Sequence, residues 1–215
     1  MSYSKSRGLF ITFEGSEGCG KSTHIRRLAA RLRRMGCHVL VTREPGGTPV
    51  GERIRHLLKF SKSNGGMVAE AELMLFSASR AQLAREKILP ALARGKIVLC
   101  DRFADSTTVY QGAARGLDPA FVARLNQFVI AGRKPDLTLV MDVDVRTGLA
   151  RARKKTKTAD RMESQRMSFY RAIRQGFCRL AKKEPGRVKL IDATTPIPEV
   201  AENIWNHVRA VLNHG

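Results

Sequence analysis

Acidic residues are scarce in this chain, apolar runs are short and no cysteines are closely paired, and each shortage removes a class of protein. No apolar run approaches the roughly 18 to 20 residues that a bilayer-crossing helix needs. The longest strings, such as Leu137 to Val143, have the length of buried strands. The four cysteines, Cys19, Cys37, Cys100 and Cys178, are scattered and form no C-x-x-C pair, which argues against a zinc site and against a disulfide framework. Cys37, Cys100 and Cys178 read as small apolar packing residues. No internal repeat, low-complexity tract or shift in composition marks a domain boundary. Residues 1–7 carry two basic side chains, but the apolar stretch that follows runs at once into a glycine loop. They read as a flexible tail, not as a secretory signal, and a cytoplasmic protein is the expectation.

With 215 residues, 43% of them hydrophobic, the chain has enough apolar material for one sizeable core and is too short for two ordinary enzyme domains, so residues 1–215 are expected to form one domain. Lys and Arg number 39 against 19 Asp and Glu, a formal charge of +20. Residues 146–189 hold 15 basic and 3 acidic residues, so 12 of the 20 net charges fall in one fifth of the chain. Such a segment fits a nucleic-acid face, a phosphate-clamping lid or a solvated basic helix.

Short apolar runs alternate with stretches of helical period, the signature of strands and crossover helices in a parallel sheet. Five strands are predicted, at Leu9–Glu14, His38–Thr42, Ile97–Asp101, Leu137–Asp142 and Val188–Ile191, each nearly continuous in apolarity, as strands covered on both faces should be. Helices are predicted at Ser22–Met35, Pro49–Leu58, Ala69–Arg94, Pro119–Ala131, Thr147–Lys155, Met162–Lys183 and Pro198–Leu212. Ser61–Gly66 and Gly112–Asp118 read as surface loops, and the lysine-rich Lys154–Asp160 as a mobile lid segment.

Directly after the first strand stands Gly15-Ser16-Glu17-Gly18-Cys19-Gly20-Lys21-Ser22, which fits G-x-x-x-x-G-K-S in the required strand, loop and helix context. Glycines let successive backbone N–H groups turn inward, and a helix N-terminus adds partial positive charge toward a polyphosphate. Lys21 is then placed to reach the β- and γ-phosphates of ATP and Ser22 to ligate Mg2+, with Thr23 completing the phosphate-binding stretch. Cys19 reads as a small residue packed inside the loop. Asp101 ends an apolar strand as a magnesium-associated aspartate does, the alternative being a buried ion pair with an arginine.

Other segments narrow the class. Thr42-Arg43-Glu44-Pro45-Gly46-Gly47-Thr48 follows the second strand, and Asp101-Arg102-Phe103 ends the third and continues as Ser106-Thr107-Thr108-Val109-Tyr110-Gln111-Gly112. Leu75-Phe76-Ser77-Ala78-Ser79-Arg80 lies on the long helix, Asp160-Arg161-Met162-Glu163 follows the lysine-rich loop, and Ile191-Asp192-Ala193-Thr194 ends the last strand. In order, over residues 8–212, this set resembles the thymidylate kinases of the bacterial type. The resemblance implies a three-layer α/β P-loop kinase fold with a short lid at about residues 146–163. It also implies transfer of the γ-phosphoryl group of MgATP to dTMP, and a homodimer built on the helices at 69–94 and 119–131.

Carried over by position, the resemblance implies that Arg43 and Arg102 hold the acceptor 5′-phosphate and that Phe76 stacks on thymine, although alone Phe76 reads equally well as core. Arg80 is expected to meet the base one turn later, with Ser106, Thr107 and Gln111 close to it. Tyr110 is expected to crowd the sugar 2′ position, and Glu17 to contact the 3′-hydroxyl. The loop has no arginine at its variable positions, so the lid is expected to supply one. Arg153 and Arg161 are the choices there, ahead of Arg151. Asp192, Ala193 and Thr194 are expected beneath adenine, mainly through backbone. Three other readings stay open from the residues alone: a nucleic-acid-stimulated ATPase, disfavoured despite the charge, a nucleotide-binding protein without turnover, and a kinase for another deoxynucleoside monophosphate.

Overall fold

The computed structural model describes residues 8–61, 66–155 and 165–213. Five strands, β1 (Leu9–Glu14), β2 (Val39–Arg43), β3 (Ile97–Asp101), β4 (Leu137–Asp142) and β5 (Val188–Asp192), form one parallel sheet in the order β2-β3-β1-β4-β5. β1 lies at the centre, pairing Leu9 with Ile97 on one side and Ile11 with Leu137 on the other. Four parallel pairings need crossovers, and helices supply them.

The strict alternation of β1 divides the core in two. Leu9, Ile11 and Phe13 pack with Ile25, Leu28 and Leu32 of α1 (Lys21–Arg34) and with Ile204 and Val208 of α9 (Ile197–Asn213). Phe10 faces the opposite layer, where it packs with Leu83, Leu92, Val98 and Phe103. That second layer contains α3 (Ala69–Leu83), α4 (Leu89–Ala93), α6 (Pro119–Val129) and α8 (Met167–Lys183). Burying each of the large apolar side chains fully contributes about 1.5 to 3 kcal/mol, so the central strand anchors both layers.

Local signals set several boundaries. Gly36, at φ +82°, follows the end of α1, where a left-handed residue costs glycine little. Thr48 caps α2 (Pro49–Lys59) by accepting from Gly51 N at 3.0 Å, and Pro49 takes the first helical position. Asp118 caps α6 in the same way, accepting from Ala120 N and Phe121 N.

The elements differ from expectation where tertiary contacts intervene. Residues 84–88 and 108–114 are π-helical. The first widens the long helix predicted from Ala69. The second follows the short α5 (Ala104–Thr107) and makes Gly112–Ala114 helical where a loop was expected. α7 spans Val145–Lys155, and α8 starts at Met167 instead of Met162, because Arg166 is still extended, with ψ 153°. Residues 156–163 of the expected lid, including Lys157, Asp160 and Arg161, lie outside the described residues.

Candidate active site

The carboxyl ends of the strands open onto a cavity of about 700 Å³, where open α/β sheets place their ligands. Its floor is the loop between β1 and α1. Lys21 is folded across that loop, donating to Ser16 O at 2.8 Å and Gly15 O at 3.2 Å, with Cys19 Sγ at 3.3 Å. Gly15 and Ser16 therefore serve from behind, while Glu17 to Thr23 line the cavity itself. Gly18 is pressed against α7: a Cβ there would fall 1.9 Å from Gly148 O, so the backbone approach excludes any other residue. Ser22 Oγ donates to Asp101 Oδ2 at 3.0 Å, bringing two hard oxygen groups together at the helix start.

Arg102 follows β3 with φ +70°, a left-handed conformation unusual for arginine. Two backbone anchors hold it: its own N–H donates to Phe13 O at 2.9 Å, and the next N–H, from Phe103, donates to Glu14 Oε1 at 2.7 Å. The guanidinium donates to Gly15 O at 2.9 Å, to Glu17 Oε2 at 2.7 Å and to Ser106 Oγ at 3.3 Å, and lies over the Tyr110 ring. Tyr110 completes the cluster by donating to Glu17 Oε2 at 3.1 Å. Burial opposes ionisation of Glu17, but Arg102 and then Lys21 outweigh it and hold the carboxyl below its ordinary range.

Glu14 was not among the expected site residues. Fully buried at the end of β1, it accepts from Phe103 N and from Ser106 Oγ at 2.6 Å, so it fixes both the backbone and the hydroxyl that hold Arg102. Burial pushes its pKa to about 7, against the opposing field of Arg102. A carboxylate at the end of an apolar strand was the available signal, since such a group needs buried donors.

Arg43 lines the cavity beside β2 and pairs through Nη2 with both oxygens of Glu52, at 2.9 and 3.0 Å. Phe76, Ser106, Gln111 and Ala193 also border the space, and Gln111 is fixed by donating to the buried Glu72 at 2.8 Å. Pro45, Arg55, Lys59 and His24 line it too, although nothing in the sequence reading named them as site residues.

Other expected residues stand back from it. Arg80 is 1% exposed, and its nitrogens donate to Glu44 Oε2 at 2.7 Å, Asn126 Oδ1 at 3.1 Å and Phe103 O at 3.2 Å. It thus ties the loop after β2 to the loop after β3, behind the cavity wall. Thr107 is buried in the short helix, and Asp192 turns to accept from Thr194 N at 2.8 Å. None of Arg80, Thr107, Asp192 and Thr194 lines the cavity, whereas Thr195, Ile197 and Val200 do. On α7, Arg151 borders the cavity and donates to Ala193 O at 3.1 Å, while Arg153, two residues on, is exposed and does not. A 3.6-residue helical turn cannot present both to one wall.

A five-stranded parallel sheet, a phosphate loop after its central strand and two arginines at neighbouring strand ends define a P-loop protein built to bring two phosphorylated groups together. Comparison with known proteins narrows this class. Residues 13–204 match the family model described as thymidylate kinase. The thymidylate kinase of Pseudomonas syringae pv. tomato is 51% identical over 92% of this chain and 93% of its own length. That of Thermomicrobium roseum is 46% identical over 96% and 97%, respectively. The crystal structure of thymidylate kinase from Ehrlichia chaffeensis aligns with TM-score 0.76 and 35% identity, covering 94% of this chain and 99% of that one. The chain belongs to the thymidylate kinase family.

Proposed function

We propose that the protein transfers the γ-phosphoryl group of ATP to dTMP, giving dTDP and ADP. The observation that carries this reading is the meeting of Arg43 and Arg102 with the Lys21 loop in one cavity, in a chain of this family. An acceptor phosphate oxygen is already anionic near neutral pH, so no general base is needed. Positioning and charge neutralisation lower the barrier.

In this reading the loop N–H groups and Lys21 take the donor phosphates, and Arg43 and Arg102 take the acceptor 5′-phosphate, a task suited to the forked guanidinium. Glu17, held by Arg102 and Tyr110, accepts from the sugar 3′-hydroxyl, and the Tyr110 ring fills the 2′ side. Phe76 stacks on the base, with Ser106 and Gln111 at the rim. Arg80 acts from behind, positioning Glu44 and Phe103. Arg151 takes the donor side beside Ala193, and Arg161 is assigned to the transferring phosphoryl, whereas Arg153, exposed and off the cavity wall, is not. The Ser22 hydroxyl and Asp101 carboxylate, 3.0 Å apart, are hard oxygen groups that fit Mg2+, which prefers such ligands together with substrate phosphates. When bound, Mg2+ would neutralise charge on those phosphates.

The exposed apolar residues Met74 on α3 and Phe121 and Phe128 on α6, the last 72% exposed, favour a homodimer through that face. No helix of the described residues is long and apolar enough to cross a membrane, which agrees with a cytoplasmic site of action. No nucleic-acid partner is proposed.

The test is ADP release with MgATP and each of dTMP, dUMP, dCMP, dGMP and UMP, beside a no-acceptor control containing DNA. The expected result is ADP formed mainly with dTMP, with equimolar dTDP. Release that ignores the acceptor but responds to DNA would overturn the proposal.

A further inference from the structure

His24, on the first turn of α1, is 5% exposed and borders the cavity. Its Nδ1 is buried with no hydrogen-bond partner, and neither ring nitrogen is bonded to a described residue. Buried polar side-chain atoms in folded proteins are paired in the large majority of cases, and a ring with Nδ1 closed off can form a hydrogen bond only through Nε2. The phosphate-loop chemistry assigned above does not use this ring.

Its location follows from two helices. α1 and α9 leave parallel strands from the same end of the sheet and run side by side, with Arg31 hydrogen-bonded to Glu202 and its guanidinium 4.1 Å over the Trp205 ring. Two helical turns toward the N-terminus of each, His24 comes level with the start of α9, where Thr195, Ile197 and Val200 border the same cavity. Its other neighbour is the loop itself: a Cβ placed on Gly20 would lie 3.5 Å from Cδ2 and 3.9 Å from Nε2. The Nε2 edge therefore turns toward the phosphate loop. A proton on the closed-off Nδ1 would stay unpaired, whereas one on Nε2 can meet a group bound in the cavity, so the ring proton is assigned to Nε2.

We propose that His24 is a donor-nucleotide contact, giving a hydrogen bond from Nε2 to a ribose or α-phosphate oxygen of ATP between the phosphate loop and the 195–200 segment. This rests on the phosphoryl-transfer reading above for the identity of the donor. A net hydrogen bond of this kind corresponds to about a fivefold change in affinity.

The test compares H24L, which fills similar space without a hydrogen-bonding group, with H24Q, which retains a donor. The readouts are the Kd of a non-hydrolysable ATP analogue by calorimetry and steady-state KM values. Thermal unfolding reports that each variant is folded. H24L is expected to raise both the analogue Kd and the ATP KM about fivefold, with the dTMP KM within about twofold of wild type, and H24Q to recover most of the loss. Repeating the measurement with 2′-deoxy-ATP and 3′-deoxy-ATP separates the two oxygens. A penalty that vanishes with one deoxy donor assigns the bond to that hydroxyl, and a penalty unchanged with both assigns it to the phosphate. A folded H24L that binds the analogue like wild type would overturn the proposal. Wild-type protein that binds the analogue but forms no dTDP would instead overturn the acceptor reading and leave His24 to be decided by Kd alone.

Discussion

On the acceptor side of the cavity, charged side chains hold one another in place; on the donor side, backbone and apolar groups predominate. Glu14, Ser106, Arg102, Glu17 and Tyr110 form one connected network, and Glu44, Arg80 and Asn126 a second. The wall formed by Ala193, Thr195, Ile197 and Val200 has a single arginine bond to a carbonyl, from Arg151. The difference teaches how selection is divided. A site whose polar groups are pre-set rejects a molecule that leaves them unpaired, so in the proposed reading discrimination belongs to the acceptor side. In the same reading the loop grips the donor through its phosphates, and the donor base meets few polar side chains.

The largest expected effect breaks the acceptor network at its centre. R102A removes the proposed phosphate contact and the ion-pair partner of Glu17, and kcat/KM for dTMP should fall on the order of a thousandfold, with the Kd of an ATP analogue little changed. Equal losses for both substrates would erase the contrast between the two sides. E14Q is milder, since the amide keeps one acceptor but offers an N–H to a site built from donors. Steady-state kinetics should show the dTMP KM up about tenfold and the ATP KM steady. Y110F removes one hydroxyl bond to Glu17 and should cost about threefold in kcat/KM for dTMP. D192A, on the donor side, should change the ATP KM by less than about twofold, because only the local turn with Thr194 is lost.

Protonation sharpens the same comparison. Glu14 and Glu44 are both raised to about 7 by burial, which in each case outweighs the neighbouring arginine. Below the ordinary carboxyl range both states of the chain hold these protons. As pH rises from about 4.5 toward 7 the unfolded chain ionises first and the folded chain resists, so these two groups make stability fall across that window. Glu17 has the opposite sign, because its depressed carboxyl adds stability that is lost as pH falls. Denaturant unfolding of E14Q and E44Q should therefore show a flatter loss of stability between pH 4.5 and 7 than wild type, while E17Q should flatten the loss at lower pH.

Much of this site was legible because its signals are local. The phosphate loop is a contiguous pattern between an apolar run and a helical period, and Leu9–Glu14, Ile97–Asp101 and Leu137–Asp142 announce themselves as buried strands. Arg43 and Arg102 stand at strand ends, and parallel strands put all such ends on one edge. The interior of that edge was less legible. Arg80 and Phe76 share a helix face in sequence, yet only Phe76 borders the cavity, because Glu44, Asn126 and Phe103 come from three other elements to claim the guanidinium.

The sequence by itself therefore determined the strands, the glycine loop and the residues carried to the strand ends, since period, turn chemistry and spacing act over a few residues. The tertiary structure alone decided that Glu14 supports Arg102, that Arg151 instead of Arg153 meets the cavity, and that His24 borders the same cavity as the start of α9. Each depends on the order β2-β3-β1-β4-β5 and on which side of a helix faces it. Those are properties of contacts between distant segments, and they exist only once the sheet has assembled.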